Sequence, residues 1–115
     1  MDTVTNRLNH HRQTIERILT EVAQVPSSSP DVQDKTFFDR QSDRYAVISE
    51  GWNDDRHIHH ILIHLEIING KVWVQADRTD LDIARELERA GIPKSDIVLG
   101  FHPADVRPFT EYATA

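Results

Sequence analysis

The start of the chain carries one apolar stripe. Val4, Leu8, His11, Ile15, Ile18, Val22 and Val25 recur at alternating spacings of four and three, and Leu19 widens the stripe. That spacing winds onto one face of an α-helix. Pro26 disfavours helical dihedrals at Val25, so the helix is expected to stop near Gln24. His11 is expected at an edge of the buried face. Residues 26–30, two prolines around three serines, form a loop too short to separate domains.

Beyond Lys35 the period changes to two. It predicts strands over residues 36–40, 44–52, 56–68 and 71–77, with polar turns at 41–43 and 53–55. The last two strands are joined by Asn69-Gly70. Both residues tolerate positive φ, as a type I′ hairpin turn demands. A two-residue turn there pairs Ile68 with Lys71, Glu66 with Trp73, His64 with Gln75 and Leu62 with Asp77. One face then carries Ile61, Ile63, Leu65 and Ile67 beside Val72, Val74 and Ala76, and is expected to be core. The other mixes His60, Leu62, His64, Glu66, Lys71, Trp73, Gln75 and Asp77. A one-residue slip would bury the charges, so the register is well determined.

Thr79 or Asp80 is expected to open a second helix, with Leu81, Ala84, Leu87 and Ala90 inward and Ile83 near the edge. Gly91 closes it in the left-handed conformation and Pro93 prevents continuation. Residues 97–101 form a short buried strand that His102-Pro103 ends. The tail holds Phe109 and Tyr112 and is expected to dock. The fold class is therefore α+β: an N-terminal helix, a mainly antiparallel sheet with a long central hairpin, a second helix and a short C-terminal strand. All 115 residues are expected in one domain, 1–115.

Composition narrows the function. Hydrophobic residues are 38% of the chain, enough for one thin core, so a partner or a second copy is expected. Lys and Arg number 13 against 19 Asp and Glu, a net charge of −6. Binding DNA by bulk charge is thereby disfavoured, since phosphate contacts need a basic face. Cysteine is absent, which removes disulfides, thiolate catalysis and Cys-ligated zinc. No apolar run approaches the roughly 20 residues that span a bilayer, and Met1-Asp2-Thr3-Val4 lacks a signal pattern, so a cytoplasmic location is expected.

Candidate chemistry is thin. Of seven histidines, His57 and His59 share one strand face while His60 and His64 share the other, so no face offers three adjacent ligands. No bound metal and no cofactor are expected. Glu66 with Lys71, or Asp77 with Asp80, loosely fits the carboxylate and lysine set of a metal-dependent nuclease. A surface ion pair explains Glu66 with Lys71 equally well, and a helix start explains Asp80 and Asp82 better. No phosphate-cradling glycine loop or nucleophile elbow is present. The mixed face is more informative. Trp73 stands there among His64, Gln75 and Asp77, and such a tryptophan is common at interfaces. His64, Trp73, Gln75 and Asp77, with His102 at the end of the last strand, are the candidate partner-binding residues. Helix, tail, partner or a second copy are each able to cover this face, and a homodimer is expected.

Three stretches carry a family resemblance. Ile63-His64-Leu65-Glu66-Ile67 with Asn69-Gly70-Lys71-Val72-Trp73-Val74-Gln75 resembles the long hairpin of the XisI-like family. So do Gly91-Ile92-Pro93-Lys94-Ser95-Asp96-Ile97-Val98-Leu99-Gly100-Phe101-His102-Pro103 and the tail Arg107-Pro108-Phe109-Thr110. Where that family tends to have Asp-Gly-Thr-Glu, this chain has Asp77-Arg78-Thr79-Asp80, so a tight turn needing glycine would fall on Arg78. The resemblance implies an accessory factor that controls excision of the fdxN element in heterocyst-forming cyanobacteria. Such a factor acts with a XisH protein, which resembles nuclease-fold proteins, while a separate recombinase cuts and rejoins the DNA. It implies no catalytic residues, so no enzyme is expected. An antitoxin-like inhibitor of a XisH-like partner and a metal-dependent nuclease are the alternatives.

The charge balance generates a direct expectation. The isolated chain should bind duplex DNA only weakly in an anisotropy titration at physiological salt. Submicromolar affinity with a steep salt slope would contradict it.

Overall fold

The apolar stripe folds as α1 (Thr3–Gln24) in the computed structural model, which describes residues 3–27 and 29–115. Met1, Asp2 and Ser28, the last within the expected 26–30 loop, lie outside the described residues. The buried positions are His11, Thr14, Ile15, Ile18 and Leu19, while Val4 and Val25 at the ends of the stripe are exposed. His11 does not sit at an edge. It is fully enclosed, with Nε2 3.1 Å from Asp96 Oδ2, so a long-range polar contact rather than the stripe's margin sets its place.

Five strands follow in spatial order β1-β2-β3-β4-β5: β1 (Val32–Asp39), β2 (Arg44–Asn53), β3 (Arg56–Ile68), β4 (Lys71–Asp77) and β5 (Ile97–Leu99). The first four pair antiparallel and β5 joins β4 in parallel. β1 begins earlier than its alternation predicts because Gly51 lets it. Gly51 has φ +147°, and a Cβ there would stand 2.0 Å from the Asp31 carbonyl oxygen. That close approach lets Trp52 N–H donate to Asp31 O at 3.2 Å and continues the ladder to Val32. Asn69 and Gly70 have φ of 50° and 79°, the pair of positive values a type I′ turn requires.

The register beyond that turn departs from expectation. Ile68–Lys71, Ile67–Val72, Glu66–Trp73 and Leu65–Val74 pair as predicted. His64 then pairs with Ala76 and Ile63 with Asp77, because Gln75 bulges out of the ladder. A second bulge lies on the other side of β3. Val47 pairs with Ile63 and Ile48 with Ile61, leaving Leu62 unpaired. Each bulge inverts the alternation beyond it. Leu62 consequently packs against the core, and Ile61, expected in it, is 45% exposed. The inner face is Tyr45, Val47, Ile63, Leu65, Val72 and Val74, all fully buried.

A second correction concerns the approach to α2 (Ile83–Arg89), which starts later than expected. The Asp77 carboxylate accepts hydrogen bonds from Thr79 N–H at 2.8 Å, Thr79 Oγ1 at 2.6 Å and Ile83 N–H at 3.0 Å. The chain therefore wraps around Asp77 instead of entering a helix at Thr79. The left-handed residue of this segment is Asp82, at φ 54°, not Arg78. The rotation leaves Leu81 exposed and buries Ile83, Ala84 and Leu87. Gly91, at φ 102°, follows the helix as predicted.

Both helices close one side of the sheet. α1 packs on β1 and β2, α2 on β4, and their buried residues form one cluster with the inner sheet face. Ion pairs fix α1 to the β1–β2 turn: Arg40 Nε and Nη2 hold Glu16 at 2.7 and 2.8 Å. The tail docks through Ala113 N–H to Ile97 O at 2.8 Å and Tyr112 OH to Glu88 at 2.6 Å. Phe109, expected to dock with it, is exposed.

Truncating Ile63 to Ala is expected to cost about 2–5 kcal/mol in urea unfolding. Asp77→Ala, which leaves the Ile83 and Thr79 donors unmet, should cost about 1–3 kcal/mol. Asp80→Ala, at an exposed position of the same turn, should stay within about 0.5 kcal/mol. Equal losses at the two aspartates would refute the role given to Asp77.

Candidate functional site

With both helices on the inner face, the outer face of the sheet is the surface this fold leaves free. Its residues alternate with the core positions: Phe37 and Lys35 on β1, Arg44, Ala46, Ile48 and Glu50 on β2, His59, Ile61, His64 and Glu66 on β3, and Trp73 on β4. Residues of the tail lie against its β4–β5 end.

At that end three of the expected partner-binding residues come together. The Arg107 guanidinium lies over the Trp73 ring, 4.9 Å from its centroid, and leaves the indole half-buried. Arg107 Nε donates to the His102 carbonyl at 3.1 Å, which fixes the guanidinium over the ring and ties His102 to the same corner. Gly100 passes so close that a Cβ would stand 2.5 Å from Gln75 Oε1 and 3.0 Å from Trp73 Cε3. The bulge at Gln75 and the missing side chain at Gly100 thus let the tail settle beside the tryptophan.

His64 stands on the same face one strand away. Its Nε2 is 3.4 Å from Glu66 Oε1, and Arg44 Nε is 3.7 Å from Glu66 Oε2. Asp77 does not join the group. Opposite Ile63 it faces the inner side, and its carboxylate is held by the turn before α2. The nuclease-like pairing of Glu66 with Lys71 does not form either, for Glu66 meets His64 and Arg44, and Lys71 Nζ donates to the Ala115 carbonyl.

The other half of the face is apolar. Phe37, Ala46, Ile48, Ile61 and His64 line a shallow groove of about 360 Å³. Phe37 is 66% exposed. Toward the far end Trp52 stacks on His57 at 4.7 Å, and His57 on His59 at 6.0 Å. Glu50 meets both Lys35 and His59 there, and the Lys35 ammonium holds the Glu50 carboxyl below its ordinary range. Among the described residues no three His, Asp or Glu side chains converge to hold a metal ion. This apolar half was not foreseen. Adjacent Phe37 and Phe38 were the available signal, since alternation must turn one of two neighbours outward. Nothing in the sequence marks the bulge that exposes Ile61.

Comparison with known proteins places these features in a family. A family model described as XisI protein matches residues 1–114. The structure of the fdxN element excision controlling factor XisI from Anabaena variabilis ATCC 29413 is similar, with 41% identity and a TM-score of 0.81 over 95% of this chain and 99% of that one. A XisI-like protein from the same organism is 32% identical, with a TM-score of 0.88 over 94% of this chain and 99% of that one. Among curated proteins there is no match.

The base of β2, where Arg44 stands, is held by a clamp with a pH signature. Arg12 Nε and Nη2 donate to the Asp43 carboxylate at 2.8 and 3.0 Å, and Tyr45 OH donates to it at 2.9 Å. The Arg12 guanidinium, aided by the tyrosine, holds Asp43 below the usual carboxylate range, and burial with the Asp43 bond pushes the Tyr45 hydroxyl upward. A lowered folded value means the stabilisation is complete above the unfolded pKa, about 3.9, and is lost as pH falls through the folded one. Asp43→Asn should therefore be less stable than the parent by about 1–3 kcal/mol at pH 7. In urea titrations across pH the difference should shrink below about pH 4. A constant difference would disprove the clamp's charge dependence.

Proposed function

This chain belongs to the XisI family, and we propose that it is an accessory factor controlling excision of an fdxN-type DNA element, working through a XisH-like protein and not through catalysis of its own. The observation that carries this reading is the 41% identity, over 95% of the chain, to a protein described as an fdxN element excision controlling factor. The net charge of −6 supports a role in contacting protein more than phosphate. The corner formed by Trp73, Gln75 and His102, with His64 on the neighbouring strand, supplies an aromatic anchor among hydrogen-bonding groups, the composition of an interface centre. Asp77 supports it from the opposite side by setting the turn that leads to α2.

Co-expression with a XisH-like protein tests the proposal. The two should co-purify at fixed stoichiometry, and Trp73→Ala should weaken the complex about tenfold or more while the fold stays intact by circular dichroism. The chain alone should not cleave plasmid DNA in magnesium or manganese. Failure to co-purify, or metal-dependent cleavage that Glu66→Gln abolishes, would overturn it. Inhibition of a nuclease activity in the partner, without effect on excision, would favour an antitoxin-like role instead.

A further inference from the structure

The outer face away from the Trp73 corner has a charge pattern complementary to itself. In the antiparallel ladder its rows run Asp39–Arg44–Glu66, then Phe37–Ala46–His64, then Lys35–Ile48–Ile61, then Gln33–Glu50–His59. The two middle rows hold the apolar groove with Lys35 at their edge, and the two outer rows carry opposite charges on β2, Arg44 in one and Glu50 in the other. A two-fold axis lying in this face, across the strands and level with Val47, exchanges the middle rows with each other and the outer rows with each other. It sets Arg44 against Glu50 of a second copy, and Glu66 against His59. Ile48 then falls on Ala46, and Ile61 on His64. On β1 Lys35 falls on Phe37 and Asp39 on Gln33, so no like charges meet.

We propose that this face, centred on Ile48 and Ile61, packs on the same face of a second copy to form a closed two-layer sandwich of sheets. Exposure supports it: Phe37, Ile61 and Trp52, at 66, 45 and 55%, stand on one side of a sheet whose other side is filled by helices. Phe37, Ala46, Ile48 and Ile61 are contiguous, with Trp52 beyond the Gln33–Glu50–His59 row, and an exposed apolar patch of this kind is uncommon on a monomer. The seven residues 44–50 that the axis exchanges extend about 24 Å, and three strands span about 14 Å, a footprint at the low end of interface sizes. Stacked sheets lie about 10 Å apart with strands nearly aligned, a spacing these short and medium side chains fill. The symmetry is closed and isologous, so pairing ends at two. His64 is taken into this pairing, while the Trp73–Arg107 corner with Gln75 and His102 lies at the margin of the footprint, on β4 and the tail, and stays available to a different protein.

Charge exchange tests the arrangement with the full-length protein alone, so its outcome is independent of any XisH-like partner. Sedimentation equilibrium at about 50 µM should give twice the chain mass. Arg44→Glu and Glu50→Arg should each shift the protein toward the monomer, with circular dichroism unchanged. Mixed together, the two variants should recover the dimer. In the mixed pair, each of the two symmetry-related contacts between positions 44 and 50 again sets a carboxylate against a guanidinium. Ile61→Asp should give a monomer that neither charge variant rescues. A monomeric parent, single variants that keep the parental mass, or a mixture that stays monomeric would each overturn the proposal.

Discussion

A β-strand places successive side chains on opposite faces, and one unpaired residue inverts that alternation for everything beyond it. β3 lies between two such inversions. Leu62 is unpaired toward β2 and Gln75 is unpaired on the β4 side. The first sends Leu62 to the core and Ile61 to the open face. The second turns Asp77 inward, where its carboxylate gathers Thr79 and Ile83 and delays the start of α2. Placement of α2, burial of Ile83 and Leu87, and the composition of the outer face all follow from these two positions.

The same constraint divides the labour of the two faces. Ile15, Ile18 and Leu19 of α1 and Ile83 and Leu87 of α2 form one buried cluster with Tyr45, Val47, Ile63, Leu65, Val72 and Val74 of the inner face. Polar contacts hold the layers in place: His11 with Asp96, Arg12 with Asp43, and Arg40 with Glu16. Among the described residues the helices pack on the inner face, and Arg107 of the tail covers Trp73 on the outer one. The outer face accordingly carries charges of both signs around apolar positions, although the chain as a whole is acidic. Its two regions differ in chemistry. One is an aromatic corner roofed by Arg107, the other an apolar groove between two rows of polar and charged residues.

Legibility in the sequence tracks locality. α1, the Asn69-Gly70 turn, the first four pairs of the hairpin and the Gly91 helix stop follow from spacing and from the φ values that particular residues tolerate. The candidate site was legible in part. Trp73 and His64 share the outer face as the alternation predicts, and Gln75 and His102 join Trp73 through the tail. Asp77 was misplaced because its face depends on a bulge two residues earlier. Phe37, Ile48 and Ile61 escaped notice because an aliphatic or aromatic residue on a strand suits the core as well as a partner.

What the sequence determined by itself was the set of elements, their order and the identity of the inner face from Ile63 through Val74, since each rests on periodicity and turn chemistry within a short span. Only the tertiary structure decided the two bulges, the enclosure of His11 against Asp96, the late start of α2 and the side on which Ile61 and Asp77 lie. Those outcomes depend on energy differences between nearly equivalent pairings. Leu62 and Ile61 are interchangeable in hydrophobicity, so local pattern cannot choose between them. The choice falls to the packing of residues far apart in the chain, where the Arg78 N–H reaches the Leu62 carbonyl and Asp77 reaches the first residue of α2.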